Sequence, residues 1–270
     1  MSRMCGRYAS AIPVMDLAAA FGIRPENVVD DPGLSYNVAP TDPVPAVLAR
    51  QASPGGDIVK ELRVLHWGLV PWWATDLRGG ARRINARVET VRERPAYRAA
   101  LASRRCLLPA NGYFEWAIGP DGGKQPHFLH PRDGAMLPLA GLYERWRAPT
   151  GEARWTCTIL TTAAAGPLAA LHNRTPMMVP PAGWYDWLDP RRTDPAAALT
   201  LPVPAIEGLD AYPVHPRIGN VREIGAQLIE PLAETSPSPE VSAWRRCPGP
   251  APLGPADRDR SASPSPSRPG

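Results

Sequence analysis

The stretch RRCLLPANGYFEW, residues 104–116, decides the fold class. It contains two short apolar runs, 105–109 and 113–116, and the residues that punctuate them are Pro109 and Gly112. Each run has the length and composition of a β-strand rather than of a helix. Similar runs follow at 126–130, 137–143 and 155–160, and one precedes at 64–70, each bounded by Gly or Pro. The chain is therefore predicted to be rich in short strands.

Helical spacing is restricted to short segments. Apolar residues three or four positions apart predict a helix over 13–21, and Gly22 follows as a stop. Shorter helices are predicted at 97–101, 167–171 and 184–188. Residues 36–49, which three prolines interrupt, are predicted to be loop followed by strand. We predict an α+β fold built on a curved antiparallel sheet or partly closed β-barrel, with short peripheral helices.

Composition divides the chain into two parts. Residues 4–232 carry the apolar patterning of one domain, whereas residues 233–270 are dominated by Ser, Pro, Ala and Arg. Such a tail cannot bury enough apolar surface to order itself, so we predict that it is disordered. The chain has no apolar run long enough to span a membrane and no secretion-signal pattern at its start. We therefore expect a soluble, cytoplasmic protein, with a monomer as the default state.

The charge and the cysteines limit the possible partners. The formal net charge is +4 and the sequence pI is about 9.0, which permits a polyanion partner without requiring one. The cysteines are Cys5, Cys106, Cys157 and Cys247, and they form no CxxC pair. We therefore predict no structural metal site and no cofactor. Cys106 and Cys157 lie in apolar runs and are predicted to be core thiols, whereas Cys247 lies in the tail.

Ten segments, taken in order, resemble one known family. They are MCGRYAS (4–10), SYNVAPT (35–41), HWGLVPWWA (66–74), RINARVET (83–90), RRCLLPANGYFEW (104–116), KQPHF (124–128), LAGLYERW (139–146), CTILTTAAA (157–165), LHNRTPMM (171–178) and VREIGAQLIEPL (221–232). Together they resemble the SOS-response-associated peptidase (SRAP) family, whose members look after abasic sites in single-stranded DNA. The resemblance implies the SRAP fold as a single domain, and it covers nearly all of residues 4–232.

The resemblance draws attention to Cys5. In the family the cysteine directly follows the initiator methionine, whereas here Met1, Ser2 and Arg3 precede Met4. We predict that translation begins at Met4 and that methionine removal exposes Cys5. A terminal cysteine carries an α-amine, with a pKa of roughly 7.7–8.0, next to its thiol. The amine can attack the aldehyde of an opened abasic sugar to give a Schiff base, and the thiol can then close a thiazolidine ring.

Two residues are candidates for proton transfer. Glu115 stands between Phe114 and Trp116 on a predicted strand, where desolvation would favour its neutral form. By resemblance it matches the catalytic glutamate of the family. His172 follows a predicted short helix, at the place where the family has its active-site histidine. The resemblance implies that His172 assists ring opening and reversal of the crosslink.

Asn85 and Arg87 form a second candidate pair within INARVET. Alternation along a strand would place both on one face and Ile84, Ala86 and Val88 on the other. Asn85 can orient the terminal amine or the sugar hydroxyls. Arg87 can bind the phosphate beside the lesion through two hydrogen bonds.

Further residues are predicted to position the DNA. Arg7, Arg174, Asn37 and Thr161 offer hydrogen bonds, and Pro40 and a tryptophan can wedge between or stack on bases. Trp73 is the predicted stacking residue, although Trp72 and Trp73 both follow Pro71 directly and either can serve.

The prediction is a protein that senses abasic sites in single-stranded DNA and crosslinks to them covalently, protecting the lesion during repair. The alternatives are an abasic-site lyase acting by β-elimination from the same Schiff base, an autoproteolytic peptidase that releases Met-Ser-Arg-Met, and a non-covalent module for single strands. The predicted abasic-site sensor would associate with the nucleoid when it is bound to DNA.

Overall fold

A computed structural model describes residues 6–53, 55–119, 122–166, 168–205 and 208–232. Cys5, Cys247 and the predicted tail, 233–270, lie outside the described residues. The strands are β1 (Tyr8–Ser10), β2 (Ser35–Val38), β3 (Pro43–Gln51), β4 (Ile58–Trp67), β5 (Asn85–Arg87), β6 (Arg105–Ala110), β7 (Gly112–Ile118), β8 (Lys124–Pro131), β9 (Leu137–Arg147), β10 (Ala153–Ala163), β11 (Arg174–Met178), β12 (Val203–Pro204) and β13 (Leu209–Pro213). The α-helices are α1 (Val14–Phe21), α2 (Pro95–Ser103), α3 (Leu168–Leu171), α4 (Trp184–Leu188) and α5 (Pro195–Ala198).

The strands form two sheets. The smaller has the order β13-β8-β7-β1-β2, and the larger has the order β12-β11-β9-β6-β3-β4-β10-β5. An additional pairing between β9 and β10 closes β9, β6, β3, β4 and β10 into a ring. The predicted α+β fold with a partly closed barrel and short helices is thus confirmed. Most pairings are antiparallel, as expected, but β10 runs parallel to both β4 and β5.

Residues 104–116 pass from one sheet to the other, because β6 belongs to the larger sheet and β7 to the smaller. At the crossing, the Asn111 side chain accepts a hydrogen bond from the Ala11 peptide N–H at 2.6 Å, which ties the corner to the end of β1. Gly112 is required because a Cβ there would lie 2.4 Å from the Leu129 carbonyl oxygen and 2.5 Å from the Phe128 ring. The corner therefore depends on a glycine at this position.

The predicted elements overlap observed ones, but bounds differ: the strand predicted at 64–70 is the end of the longer β4, which begins at Ile58 and stops at Trp67. Helix α1 ends at Gly22, which has a left-handed φ of 61° and donates back to the helix, as a glycine stop should. Residues 36–38, predicted as loop, instead belong to β2. Pro43 and Pro45 lie inside β3, which is possible because β6 pairs with β3 only at Val47 and Leu48. The prolines thus lie in the part of β3 that pairs with β4 on one side only. On the side that β6 would occupy, no partner strand requires an N–H donor.

Within the described ranges, the buried apolar residues group into three clusters. One packs helices α1, α2 and α4 on one face of the barrel strands, through residues such as Phe21, Leu101 and Trp187. The second joins the other face of those strands to the smaller sheet, through Tyr8 and Tyr113 among others, and it contains Cys106 and Cys157. Both thiols are fully buried, so the predicted core cysteines are confirmed. The third, around Phe114, Phe128, Ile218 and Leu228, covers the far face of the smaller sheet.

None of the helices in the described ranges combines the length and the apolar character that crossing a bilayer requires. The same residues hold no group of three or more His, Cys, Asp or Glu side chains arranged to bind a metal ion.

Candidate functional site

Glu115 is a buried carboxyl group between the two sheets. Its strand alternates, so Phe114 points into the outer cluster while Glu115 shares the inner face with Tyr113. The residue is only 3% exposed, which confirms the desolvated setting expected from its aromatic neighbours. A carboxyl group at this place faces the interior between the sheets, where it can exchange a proton only with groups that reach the same interior.

His172 faces Glu115. It follows α3, and its Nδ1 atom lies 3.9 Å from Oε1 of Glu115. The peptide N–H of Arg174 donates to Nδ1 at 3.1 Å, so the neutral ring carries its hydrogen on Nε2. Burial lowers the pKa of His172, which keeps the ring neutral at pH 7. The structure therefore brings together a buried carboxyl group and a neutral imidazole, a pair suited to moving a proton.

Asn85 and Arg87 lie on β5, which runs parallel to β10. Asn85 is opposite Ile159 and Arg87 is opposite Thr161. Ile84 and Ala86 are buried, Asn85 is half-buried and Arg87 is exposed, which is the alternation expected from the sequence. An exposed guanidinium next to a half-buried amide can hold a phosphate and orient a nearby polar group.

Arg174 and Thr161 are in contact, but neither is open to solvent as predicted DNA contacts would be. Nη2 of Arg174 donates to the backbone oxygen of Thr161 at 2.6 Å, and Thr161 is fully buried. The same guanidinium donates to both carboxylate oxygens of Glu89, at 2.6 and 2.9 Å. The Arg174 guanidinium is thus hydrogen-bonded to both Thr161 and Glu89, so both of its Nη nitrogens already donate within the protein.

Arg7 and Asn37 are also occupied. Nη1 of Arg7 donates to Oδ1 of Asn37 at 2.6 Å and to the backbone oxygen of Ile218 at 2.9 Å, and Nη2 donates to that of Gly219 at 3.2 Å. The Asn37 amide donates to the backbone oxygens of Asn220 and Glu223, at 3.0 and 3.1 Å. Burial lowers the pKa of Arg7. The two side chains thus fasten the segment 218–223 beside the start of β1.

Pro40, which is half-buried, and the exposed Trp72 and Trp73 lie on loops at the end of the barrel strands. Pro40 is in a turn closed by the Asp42 N–H and the Ala39 oxygen at 3.1 Å, in which Thr41 has a left-handed φ of 78°. The Thr41 N–H donates to the backbone oxygen of Trp67, at the end of β4. Trp72 is 65% exposed and Trp73 is 51% exposed, so both indoles are available for stacking.

Sequence reasoning missed two features of this region. It assigned no role to Glu89, although Glu89 lies in the INARVET segment two residues after Arg87, where strand alternation would have placed it on the same side. It also missed the contacts of Arg7 and Asn37 with segment 218–223, because backbone oxygens distant in the chain leave no signal in the sequence. Cys5, the predicted nucleophile, lies outside the described residues; Gly6, bonded to it, is described.

Comparisons with known proteins agree with the pattern of segments. The family model of SOS response associated peptidases (SRAP) matches residues 4–221. The abasic site processing protein YoqW of Bacillus subtilis is 32% identical over 228 residues, which cover 84% of this chain and 99% of that protein. The abasic site processing protein YedK of Escherichia coli is 30% identical over 240 residues, covering 85% and 100%. The abasic site processing protein HMCES of Gallus gallus is 27% identical, covering 85% and 78%.

Solved structures share the architecture. A protein of Bacteroides thetaiotaomicron superposes with a TM-score of 0.69 at 23% identity, covering 85% of this chain and 100% of that chain. A phage-related protein of Bordetella bronchiseptica superposes with a TM-score of 0.58 at 28% identity, covering 78% and 94%. Since the family model spans most of the chain and relatives at 30% identity or more align over nearly their whole length, the chain belongs to the SOS response associated peptidase family.

Proposed function

We propose that this chain processes abasic sites in single-stranded DNA and captures them covalently through Cys5 as the mature N-terminal residue. The names of the relatives, which are abasic site processing proteins, support the substrate class. The match to the family model begins at Met4, which supports a mature chain that starts with Cys5.

One observation carries the proposal: the chain next to Cys5 runs alongside the strand that holds Glu115. The Phe114 N–H donates to the Arg7 backbone oxygen at 3.0 Å, and Tyr8 is paired with Tyr113. Consecutive Cα atoms are about 3.8 Å apart. Cys5, which is bonded to Gly6, therefore precedes by two residues Arg7, whose backbone contacts the strand of Glu115.

The chemistry requires a free terminal amine. The neutral amine adds to the C1′ aldehyde of the opened sugar, and loss of one water gives the Schiff base. The thiol sulfur then bonds to the imine carbon while its proton passes to the nitrogen, which closes the thiazolidine ring. Three extra residues before Cys5 would convert the amine into an amide, and the remaining thiol could form only a reversible thiohemiacetal.

The other residues have separate tasks in the proposal. Glu115 passes the proton as the sugar opens and as water leaves, and His172, whose Nδ1 lies 3.9 Å away, accepts or returns it through one bridging water once Nδ1 is released from the Arg174 N–H. Asn85 orients the amine or the sugar hydroxyls, and Arg87 binds the neighbouring phosphate. Trp72 or Trp73 stacks on a flanking base, and Pro40 wedges beside it.

The test is intact mass spectrometry of the purified native protein before and after incubation with a single-stranded oligonucleotide carrying one abasic site. We expect a mature mass beginning at Cys5 and an adduct equal to protein plus oligonucleotide less one water. Cys5→Ala should lose the stable adduct, whereas Cys247→Ala, which changes a thiol in the tail, should retain it. A confirmed N-terminal Cys5 without any adduct would refute covalent capture.

The same experiment separates the alternatives. A strand cut 3′ to the lesion, with little stable adduct, would favour the lyase. Release of Met-Ser-Arg-Met from a chain translated from Met1 would favour the autoproteolytic peptidase. Equal affinity for intact and abasic strands with no covalent product would leave a non-covalent binding module.

A further inference from the structure

The Glu89–Arg174 pair has the geometry of a guanidinium bound to a phosphate. Two nitrogens of Arg174 meet the two oxygens of Glu89, at 2.6 and 2.9 Å, and the Thr162 hydroxyl adds a third hydrogen bond to the carboxylate at 3.3 Å. Planar, two-point pairing of this kind is how arginine recognises carboxylates and phosphates alike. A phosphate could thus take the place of this carboxylate without any change in the arginine.

The carboxylate lies on the solvent side of the guanidinium. The Arg174 side chain is only 10% exposed, whereas that of Glu89 is 45% exposed. An anion that approaches Arg174 from solution therefore meets Glu89 first. The hydrogen bonds from Arg174 lower the pKa of Glu89 to about 2, so the carboxylate is charged at neutral pH.

The pair adjoins the candidate proton-transfer site. Arg174 is bound to His172 through its peptide N–H and to Thr161 through its side chain. Thr161 in turn is opposite Arg87, the exposed arginine proposed to bind phosphate. A DNA backbone that follows Arg87 along β10 would pass the position that Glu89 occupies.

We propose that Glu89 is an internal carboxylate that occupies the phosphate-binding side of Arg174 and is exchanged for a backbone phosphate when single-stranded DNA binds. This rests on the proposed function, since it presumes that DNA lies along this surface. The exchange replaces one charged pair with another, so an intact strand gains little from Arg174. Glu89 is in this view a specificity-determining residue, because it weakens binding to intact strands while covalent capture retains damaged ones.

The experiment measures the dissociation constant of an intact single-stranded oligonucleotide at one fixed salt concentration, by fluorescence anisotropy. Glu89→Gln keeps the shape of the side chain and removes its charge, and it should bind about three- to tenfold more tightly than the wild type. The matched control is Glu93→Gln, which removes the same charge from an exposed residue on the following turn. It should change the dissociation constant by less than about twofold.

A second pair of variants ties the effect to Arg174. In an Arg174→Gln background, Glu89→Gln should leave the dissociation constant unchanged, because no guanidinium remains to be released. The proposal is overturned if Glu89→Gln binds no more tightly than Glu93→Gln, or if its gain persists without Arg174. Covalent capture of abasic DNA by the wild type is measured alongside. If the wild type captures abasic DNA but Glu89→Gln does not change the affinity for intact DNA, this inference alone is refuted. If the wild type neither binds nor captures DNA, the proposed function is refuted together with this inference.

Discussion

At the scale of single residues, His172 shows how the fold sets a protonation state. The ring is buried, and burial opposes the charged form, so the pKa lies below its ordinary value of 6.5. The Arg174 N–H donates to the lone pair on Nδ1, and a protonated ring has no lone pair there, so this hydrogen bond also favours the neutral ring. A neutral histidine beside Glu115 can accept a proton, and that capacity is lost as the pH falls through the lowered pKa.

This gives a prediction for the pH dependence of covalent capture. Below roughly pH 7.7–8.0 the rate should fall because the α-amine becomes protonated. In the wild type a second, steeper fall should follow at a more acidic pH, at the lowered pKa of His172, as the ring also becomes charged. His172→Gln should lose this second break and react about 100-fold more slowly at neutral pH. Single-turnover rates across pH measure both, and an identical second break in the variant would assign it to another group.

At the scale of secondary-structure elements, Arg105 joins two helix ends to the barrel. It is buried at the start of β6, and its guanidinium donates to the backbone oxygens of Leu101 and Ala102, at 2.8 and 2.7 Å, near the end of α2. It also donates to those of Trp187 and Asp189, at 2.6 and 2.7 Å, at the end of α4. Carbonyls at a helix end have no partner within the helix, so one side chain satisfies acceptors of both helices.

Arg105→Met is therefore expected to destabilise the protein strongly. It leaves four backbone oxygens, three of them in buried hydrogen bonds, without this donor, a loss of about 3 kcal/mol or more in the free energy of unfolding. Arg98→Met, on the exposed face of α2, is the matched control and should change stability by less than about 0.5 kcal/mol. Urea denaturation measures both. A loss below about 1 kcal/mol for Arg105→Met would mean that the helix ends find other donors.

Asn37 is the corresponding anchor for segment 218–223. Asn37→Ala removes two donors to that segment and the acceptor for Arg7. We expect faster amide hydrogen exchange across 218–223 and a loss of about 1–3 kcal/mol. Ser35→Ala, which removes only a 3.3 Å contact with the Asn37 N–H, should leave exchange there unchanged. Unaltered exchange in Asn37→Ala would show that the Arg7 contacts suffice.

The same scale explains what the sequence could and could not predict. Strands such as β6, β9 and β10 and the helix α1 were predictable because local apolar spacing reflects burial. The parallel pairing of β10 with β4 and with β5 was not, since pairing between strands far apart in the chain leaves no local pattern. Glu115 and His172 were located through their motifs, but their approach to 3.9 Å required the fold. The partners of Arg7 and Arg174 were unpredictable for the same reason.

At the scale of the whole molecule, the two ends of the described chain lie on the smaller sheet. The first strand, β1, is held between β7 and β2, so the residues that lead to Cys5 are fixed by a central strand. The last described segment crosses the outer face of that sheet. Leu228 is fully buried there, the Tyr212 hydroxyl donates to the Ile229 backbone oxygen at 2.7 Å, and the Leu232 N–H donates to the Pro213 oxygen at 2.9 Å.

These contacts predict where the chain can be shortened. A variant that ends at Leu232 keeps every contact just described, so its melting temperature and its rate of covalent capture should equal those of the full chain. A variant that ends at Gly225 removes Leu228 from the third apolar cluster, which should cost about 2–5 kcal/mol and lower the melting temperature by several degrees. Calorimetry and the capture assay compare the three chains. A slower capture by the chain ending at Leu232, at an unchanged melting temperature, would assign residues 233–270 a part in binding DNA, because the fold itself would then be intact.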